Sequence, residues 1–228
     1  MKKAVPVIAI DGPSGTGKGT VARLLAEKMG WHLLDSGALY RLLAIAAQDH
    51  GIDLADEAKL RALAPAMNIR FEHAADGGER IVLDGREVTD RVRAEITGAD
   101  ASQLAVLPGV RQALIQRQRD FRQTPGLVAD GRDMGTAIFP DAEVKIFLTA
   151  SAQTRAERRH KQLNGKENGA SLSALFREIS ARDERDSSRQ ASPLRSADDA
   201  VVIDTTNLDI AAVMDRVLEE VRKKLPVS

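Results

Sequence analysis

The sequence predicts an α/β fold of three layers, with helices covering both faces of a central five-stranded parallel sheet. Three observations carry that expectation. Residues 5–20, VPVIAIDGPSGTGKGT, read as a buried strand, a glycine-rich loop and the start of a helix. Four more apolar runs of strand length lie at residues 31–34, 127–130, 143–148 and 200–203. Stretches of helical periodicity separate them, and such alternation argues parallel strands joined by right-handed crossovers.

The chain has 228 residues, enough for one α/β domain with insertions. Its 33 basic and 33 acidic side chains balance, so no overall field points to nucleic acid and anion binding must come from local clusters. The absence of cysteine excludes disulfides, thiolate metal sites and a thiol nucleophile. The opening MKKAVPVIAI pairs lysines with an apolar run, but the run is too short for a secretory signal and flows into the glycine-rich loop. No stretch approaches the length of a membrane span. The expectation is a soluble, cytoplasmic protein.

Val5, Val7, Ile8, Ala9 and Ile10 form the first strand, which breaks at Asp11-Gly12-Pro13. The next helix runs from Lys18 to about Met29, with Val21, Leu24 and Leu25 on one face and Gly30 as its stop. The second strand ends at Asp35, and Ser36 caps a helix to about His50, before Gly51. Residues 52–95 break the rhythm. They predict a short helix over 54–63 and strands at 68–72, 80–83 and 87–88, with turn signals at Asp76-Gly77-Gly78 and Asp84-Gly85. This reads as an antiparallel insertion. Helices over about 95–106 and 109–123 follow, split at Pro108-Gly109. Past the third and fourth core strands, helices over about 152–163 and 172–185 flank the polar stretch 164–169, whose glycines predict a mobile loop. The strand at 200–203 and an amphipathic helix over 210–225 close the chain.

Gly12, Gly17 and Lys18 stand at Walker A spacing, after a strand and before a helix. Glycines let backbone N–H groups close around a polyphosphate, the helix N-terminus favours negative charge, and Lys18 reaches the outer phosphates. This predicts a nucleoside triphosphate site in a P-loop NTPase fold. One position departs from the usual pattern: Gly19 stands where Ser or Thr would ligate Mg²⁺, and the hydroxyl arrives one residue late as Thr20. The form GxxGxGKGT resembles the loop of nucleoside monophosphate kinases. It argues that phosphates and water hold much of the metal ion, with Thr20 and Asp130 as the candidate protein groups.

Asp130 ends an apolar strand and opens Asp130-Gly131-Arg132-Asp133-Met134-Gly135. In a P-loop protein a carboxylate there organises Mg²⁺, and the carboxyl ends of parallel strands are where open α/β sheets bind ligands. Taken alone, the segment fits a reversing turn equally well. Eight arginines lie between 155 and 195. Arg155 and Arg159 share one helical face, as do Arg182, Asp186 and Arg189. Solvated ion pairs are the commoner fate of such faces. Beside a phosphate loop, however, arginine forks suit the several oxygens of a transferring phosphoryl group, and these helices would serve as a lid. The four histidines show no metal-ligand spacing.

IAIDGPSGTGKGT, LLDSGALYR, ADGRDMGT and ARDERDSSR, in this order, resemble the bacterial cytidylate kinases over essentially the whole chain. The second and third motifs are much more specific than the first. The resemblance implies one nucleoside monophosphate kinase domain: a core at about 1–51, 96–151 and 190–228, a monophosphate-binding insertion at about 52–95 and a lid at about 155–189. It implies phosphorylation of CMP and dCMP by ATP with Mg²⁺, in a monomer. Gly12, Pro13, Ser14, Gly15, Thr16, Gly17, Lys18, Gly19 and Thr20 would hold ATP, with Arg155 and Arg159 from the lid. Ser36, Arg41, Ser102, Arg111, Arg132, Asp133, Arg182 and Asp186 would hold CMP. Lys18, Arg132, Arg159, Arg182 and Arg189 would carry catalysis by charge. Two other readings compete: a P-loop kinase for UMP, AMP or an alcohol, and a nucleotide switch. Against the switch, the Asn-Lys-x-Asp base-reading string of a GTPase is absent.

Overall fold

A computed structural model describes residues 4–73, 79–163, 171–189 and 191–225. The turn expected at Asp76-Gly77-Gly78 and the loop expected at 164–169 lie outside the described residues. Two compact units emerge, Met1–Asp35 with Arg119–Ser228, and Ser36–Gln118.

The first unit is built on five parallel strands: β1 (Val7–Asp11), β2 (His32–Asp35), β6 (Leu127–Gly131), β7 (Val144–Thr149) and β8 (Val201–Asp204), in spatial order β2-β6-β1-β7-β8. Every residue of β1 is buried. Successive side chains of a strand point to opposite faces, so both faces of this central strand are covered. Ile8 and Ile10 join Val128, Val144, Ile146 and Leu148 in a core sealed by α1 (Lys18–Met29) and α9 (Ile210–Lys224) through Val21, Leu25, Val213, Val217 and Val221. The register sets Ile10 and Asp35 each beside Asp130, and Asp11 beside Gly131. Three acids therefore meet at the carboxyl edge. The pair α7 (Ala152–Leu163) and α8 (Leu172–Ser188) pack on one another through Ala156, Leu175 and Ile179.

The second unit centres on α2 (Ser36–Asp49), which is apolar around most of its circumference and packs on α3 (Glu57–Ala66), α4 (Thr89–Arg93) and α5 (Glu95–Leu104). The antiparallel sheet β3 (Ile69–His73), β4 (Glu79–Leu83) and β5 (Arg86–Glu87) and the helix α6 (Pro108–Arg119) complete it. At the β4–β5 turn Asp84 and Gly85 have φ of 49° and 81°, the left-handed pair that a tight hairpin requires.

Several boundaries differ from the sequence reading, for local reasons. The third helix starts at Glu57 because Asp56 caps it, accepting from the Lys59 N–H. The one-turn α4 was not expected; five residues give too little periodicity to read. Pro108 begins α6 rather than separating two helices, as its missing N–H allows. After β6 comes a π-helical turn, Met134–Ile138, which has no sequence signature. Among the described residues no helix is long and apolar enough to cross a membrane.

Candidate active site

The phosphate loop leaves β1 at Asp11 and re-enters regular structure at Lys18. Gly12 has φ of 141°, and a Cβ there would lie 2.0 Å from the Leu148 carbonyl oxygen, so the loop passes too close to β7 for any side chain. Gly17 caps α1 with no side-chain hydrogen bond, and no acid occupies the first turn. The helix thus presents its N-terminal N–H groups to an anion. Lys18 is only 5% exposed, and its Nζ donates to the Pro13 carbonyl at 2.8 Å, which Thr16 Oγ1 also approaches at 3.1 Å. An ammonium has three donors, so two remain. Burial pushes Lys18 well below the usual lysine range, with repulsion from Arg132 adding to the effect and Asp130 opposing it. Burial likewise pushes Asp130 up, against the pull of Lys18 and with Asp35 adding to the rise.

Asp11 fixes the next segment. It is 5% exposed and accepts from the backbone N–H groups of Met134 and Gly135, each at 2.8 Å. The carboxylate that closes β1 therefore anchors the π-helical turn behind Arg132 and Asp133. Arg132 donates through Nε to Asp186 Oδ2 at 3.0 Å and through Nη1 to the Gly131 carbonyl. Burial alone would raise Asp186, but Arg132, Arg189 and Arg182 together hold it below the usual carboxylate range. Arg189 lies just past the end of α8, not on its face as the sequence spacing suggested. Its Nε turns back to the Asp186 carbonyl at 3.2 Å.

The structure thus brings Lys18 and Asp186 each within reach of the charges of Arg132 and Arg182, with Asp130 acting on Lys18, Arg189 acting on Asp186 and Asp133 buried next to Arg132. Arg155 is buried in α7 against the loop, while Arg159 donates to Gln162 on its own helix and Thr20 is exposed on α1. In the second unit, Arg41 donates to the Val92 and Ala94 carbonyls and Arg111 to that of Ala105. Ser102 is buried on α5. Ser36 Oγ donates to Gln118 Oε1 at 2.8 Å. The orientation of that amide follows from its other end, where Nε2 donates to the Leu114 carbonyl at 3.3 Å. A carbonyl can only accept, so Oε1 faces Ser36 and takes its hydroxyl proton. Sequence reading missed Asp11, Gln118 and Asp183. An acid closing a fully apolar strand was a usable signal for Asp11, whereas the partners of the other two lie 82 and 28 residues away.

The model of one known family, cytidylate kinase, matches residues 8–223. The chain belongs to the cytidylate kinase family. Its relatives include the cytidylate kinases of Pseudomonas aeruginosa strain UCBPP-PA14, 58% identical over 226 residues and 98% of each chain, and of Pseudomonas fluorescens strain Pf0-1, 58% identical over 222 residues and 97% of each chain. That of Pseudomonas paraeruginosa strain PA7 is 59% identical over 219 residues and 96% of each chain. Membership makes this cytidylate kinase homologue a phosphotransferase, and the first, third and fourth motifs supply Lys18, Asp130, Arg132, Arg182, Asp186 and Arg189 to the charged group of the first unit.

The buried carboxylate at the root of the loop gives a measurable pH signature. Burial raises Asp11 to about 6 from its ordinary 3.8; the two N–H donors and Lys18 oppose the rise and Asp133 adds to it. Between those values the folded chain binds more protons than the unfolded one, so this contribution to stability is present at low pH and is lost as pH rises through about 6. In urea unfolding, stability relative to Asp11→Asn falls by roughly 3 kcal/mol from about pH 3.5 to about pH 7. A difference independent of pH contradicts the charged burial.

Proposed function

We propose that this chain transfers the γ-phosphoryl group of ATP to the phosphate of CMP or dCMP, giving ADP and CDP or dCDP. The observation that carries the reading is the clustering of the Lys18, Arg132, Arg182 and Arg189 charges beside a Walker A loop in a chain of this family. An oxygen of the acceptor phosphate attacks the γ-phosphorus in line, and the bond from phosphorus to the bridging oxygen of ADP breaks. That acceptor oxygen is anionic near neutral pH, so no general base is needed. Catalysis is then positioning and charge stabilisation. The backbone of Gly12–Thr20 receives the donor phosphates, and Lys18 follows the transferred group with its two remaining donors. Arg132, Arg182 and Arg189 neutralise the acceptor and the equatorial oxygens. Asp186 holds Arg132 in place, and with Asp133, Ser36, Ser102, Arg41 and Arg111 it belongs to the acceptor side. Arg155 and Arg159 belong to the donor side, and closure of the α7–α8 lid excludes water.

Hard oxygen donors suit Mg²⁺, and the site offers them. Among the described residues no three acids or histidines form a cage, but Asp130 is a buried carboxylate beside Lys18 with Asp35 next to it. That matches a metal held mainly by phosphates and water, with one or two carboxylates. Asp130, and Thr20 through water, would hold the ion, which when bound neutralises phosphate charge. The same reading places the enzyme in the cytoplasm as a monomer, with nucleotides and neither nucleic acid nor membrane as partners.

Base choice follows from Ser36. With its proton committed to Gln118, Ser36 Oγ offers lone pairs only. These accept the exocyclic amino group of cytosine and repel the O4 of uracil. Gln118→Met frees the proton, so kcat/KM for UMP rises about tenfold relative to CMP in parallel assays. An unchanged ratio removes Gln118 and Ser36 from base selection.

ADP release from ATP and Mg²⁺ with CMP, dCMP, UMP, AMP, dTMP or no acceptor tests the reaction itself. Turnover is expected to favour CMP and dCMP strongly, and Lys18→Ala and Arg189→Ala each to lose at least about 100-fold in kcat while remaining folded. A peak at another acceptor, or turnover unaffected by adding any acceptor, overturns the reading.

A further inference from the structure

Arg155 lies against the phosphate loop in a way that leaves little of it for a nucleotide. It is 4% exposed. Gly15 has φ of 79°, and a Cβ built on it would lie 3.0 Å from Arg155 Cβ and 3.4 Å from Cγ, so the arginine stem packs on the turn of the loop. The guanidinium then divides its donors. Nε donates to the Ala150 carbonyl at 3.0 Å, just past β7. Nη1 donates to the Ser14 carbonyl of the loop at 3.1 Å and to Asp183 Oδ1 at 3.0 Å. Nη2 donates to Asp183 Oδ2. A guanidinium carries five N–H groups, and these contacts engage four of them.

We infer that Asp183 is a positioning residue for the donor nucleotide: acting through Arg155, it holds the Ser14–Gly15 turn in the conformation that receives the donor phosphates. The inference rests on the proposal that ATP binds at this loop. A carboxylate that accepts both forks of a guanidinium fixes its plane as well as its charge. With the plane fixed, the remaining Nη1 hydrogen is aimed at the Ser14 carbonyl, and the loop is tied to β7 on one side and to α8 on the other. Three residues further along α8, Asp186 orients Arg132. One helix thus sets both the loop and an arginine of the acceptor side. Removing the Asp183 carboxylate leaves a buried guanidinium without its counter-charge, and the loop loses the contact that fixes its turn.

The test uses the full chain with Asp183→Asn, Asp183→Glu and Arg155→Met, singly and with Asp183→Asn combined with Arg155→Met. Asp183→Asn is expected to raise KM for ATP about tenfold or more and to leave KM for CMP within about twofold. Asp183→Glu is expected to recover most of the loss. In the Arg155→Met background, Asp183→Asn is expected to change KM for ATP by no more than about twofold, because the two act in series. Equilibrium binding of ATP by calorimetry should repeat the pattern without an acceptor, so the inference is judged even if CMP proves to be the wrong substrate. Three results overturn it: a lower melting temperature with both KM values unchanged, an equal rise in both KM values, or tighter ATP binding by Asp183→Asn. The last would mean that Asp183 competes with ATP for Arg155.

Discussion

Burial of charge at the carboxyl edge of the five-stranded sheet constrains the rest of this molecule. Lys18, Asp11 and Asp130 are each less than a tenth exposed, in a region where an unpaired charge costs several kcal/mol. Each is compensated in a different way. Asp11 receives two backbone N–H groups, Asp130 faces Lys18, and Lys18 gives one donor to Pro13. The compensation of Lys18 and Asp130 is partial, and burial pushes both toward their neutral forms. In the proposed reaction a polyphosphate would supply Lys18 with the counter-charge it lacks, and a cation carried with it would do the same for Asp130. The edge is therefore built to be completed by a substrate, and parallel strands make this possible because all five end on the same side.

The arginines extend the same logic outward. Asp186 is shared among Arg132, Arg182 and Arg189, and Asp183 is committed to Arg155. Two acids three residues apart on α8 thus each orient one arginine, Asp186 holding Arg132 and Asp183 holding Arg155. A mobile arginine would pay for its ordering when substrate arrives, whereas one already held in place by a carboxylate does not. Within the second unit Ser36 is likewise held, its proton committed to Gln118.

What the sequence made legible was the part of this design that is contiguous along the chain. Strand, glycine loop and helix follow one another within residues 5–29, and Asp130–Gly135 is one segment, so local patterning revealed the loop, its lysine and the carboxylate strand. All five core strands were readable as apolar runs: in β1 and β6 burial on both faces demands them, while the edge strands β2 and β8 carry shorter runs that are only partly buried. Less was readable where the partner is distant. Nothing near Asp183 announces Arg155, and nothing near Gln118 announces Ser36, since folding alone pairs them. The lid arginines were read as one class from their spacing, but the structure separates them: Arg155 is buried and spoken for, and Arg159 is half-buried on its own helix. The π-helical turn escaped because its cause, Asp11, sits 123 residues earlier in the chain.

In the proposed reaction this edge passes a phosphoryl group from one nucleotide to another and keeps water out. Phosphorus NMR of the chain with ATP, Mg²⁺ and CMP follows every phosphorus atom at once. The resonances of CDP and ADP should grow together in equal amounts, with inorganic phosphate staying at the level of a protein-free control. Growth of inorganic phosphate while CMP persists would contradict the claim and make the site one for hydrolysis.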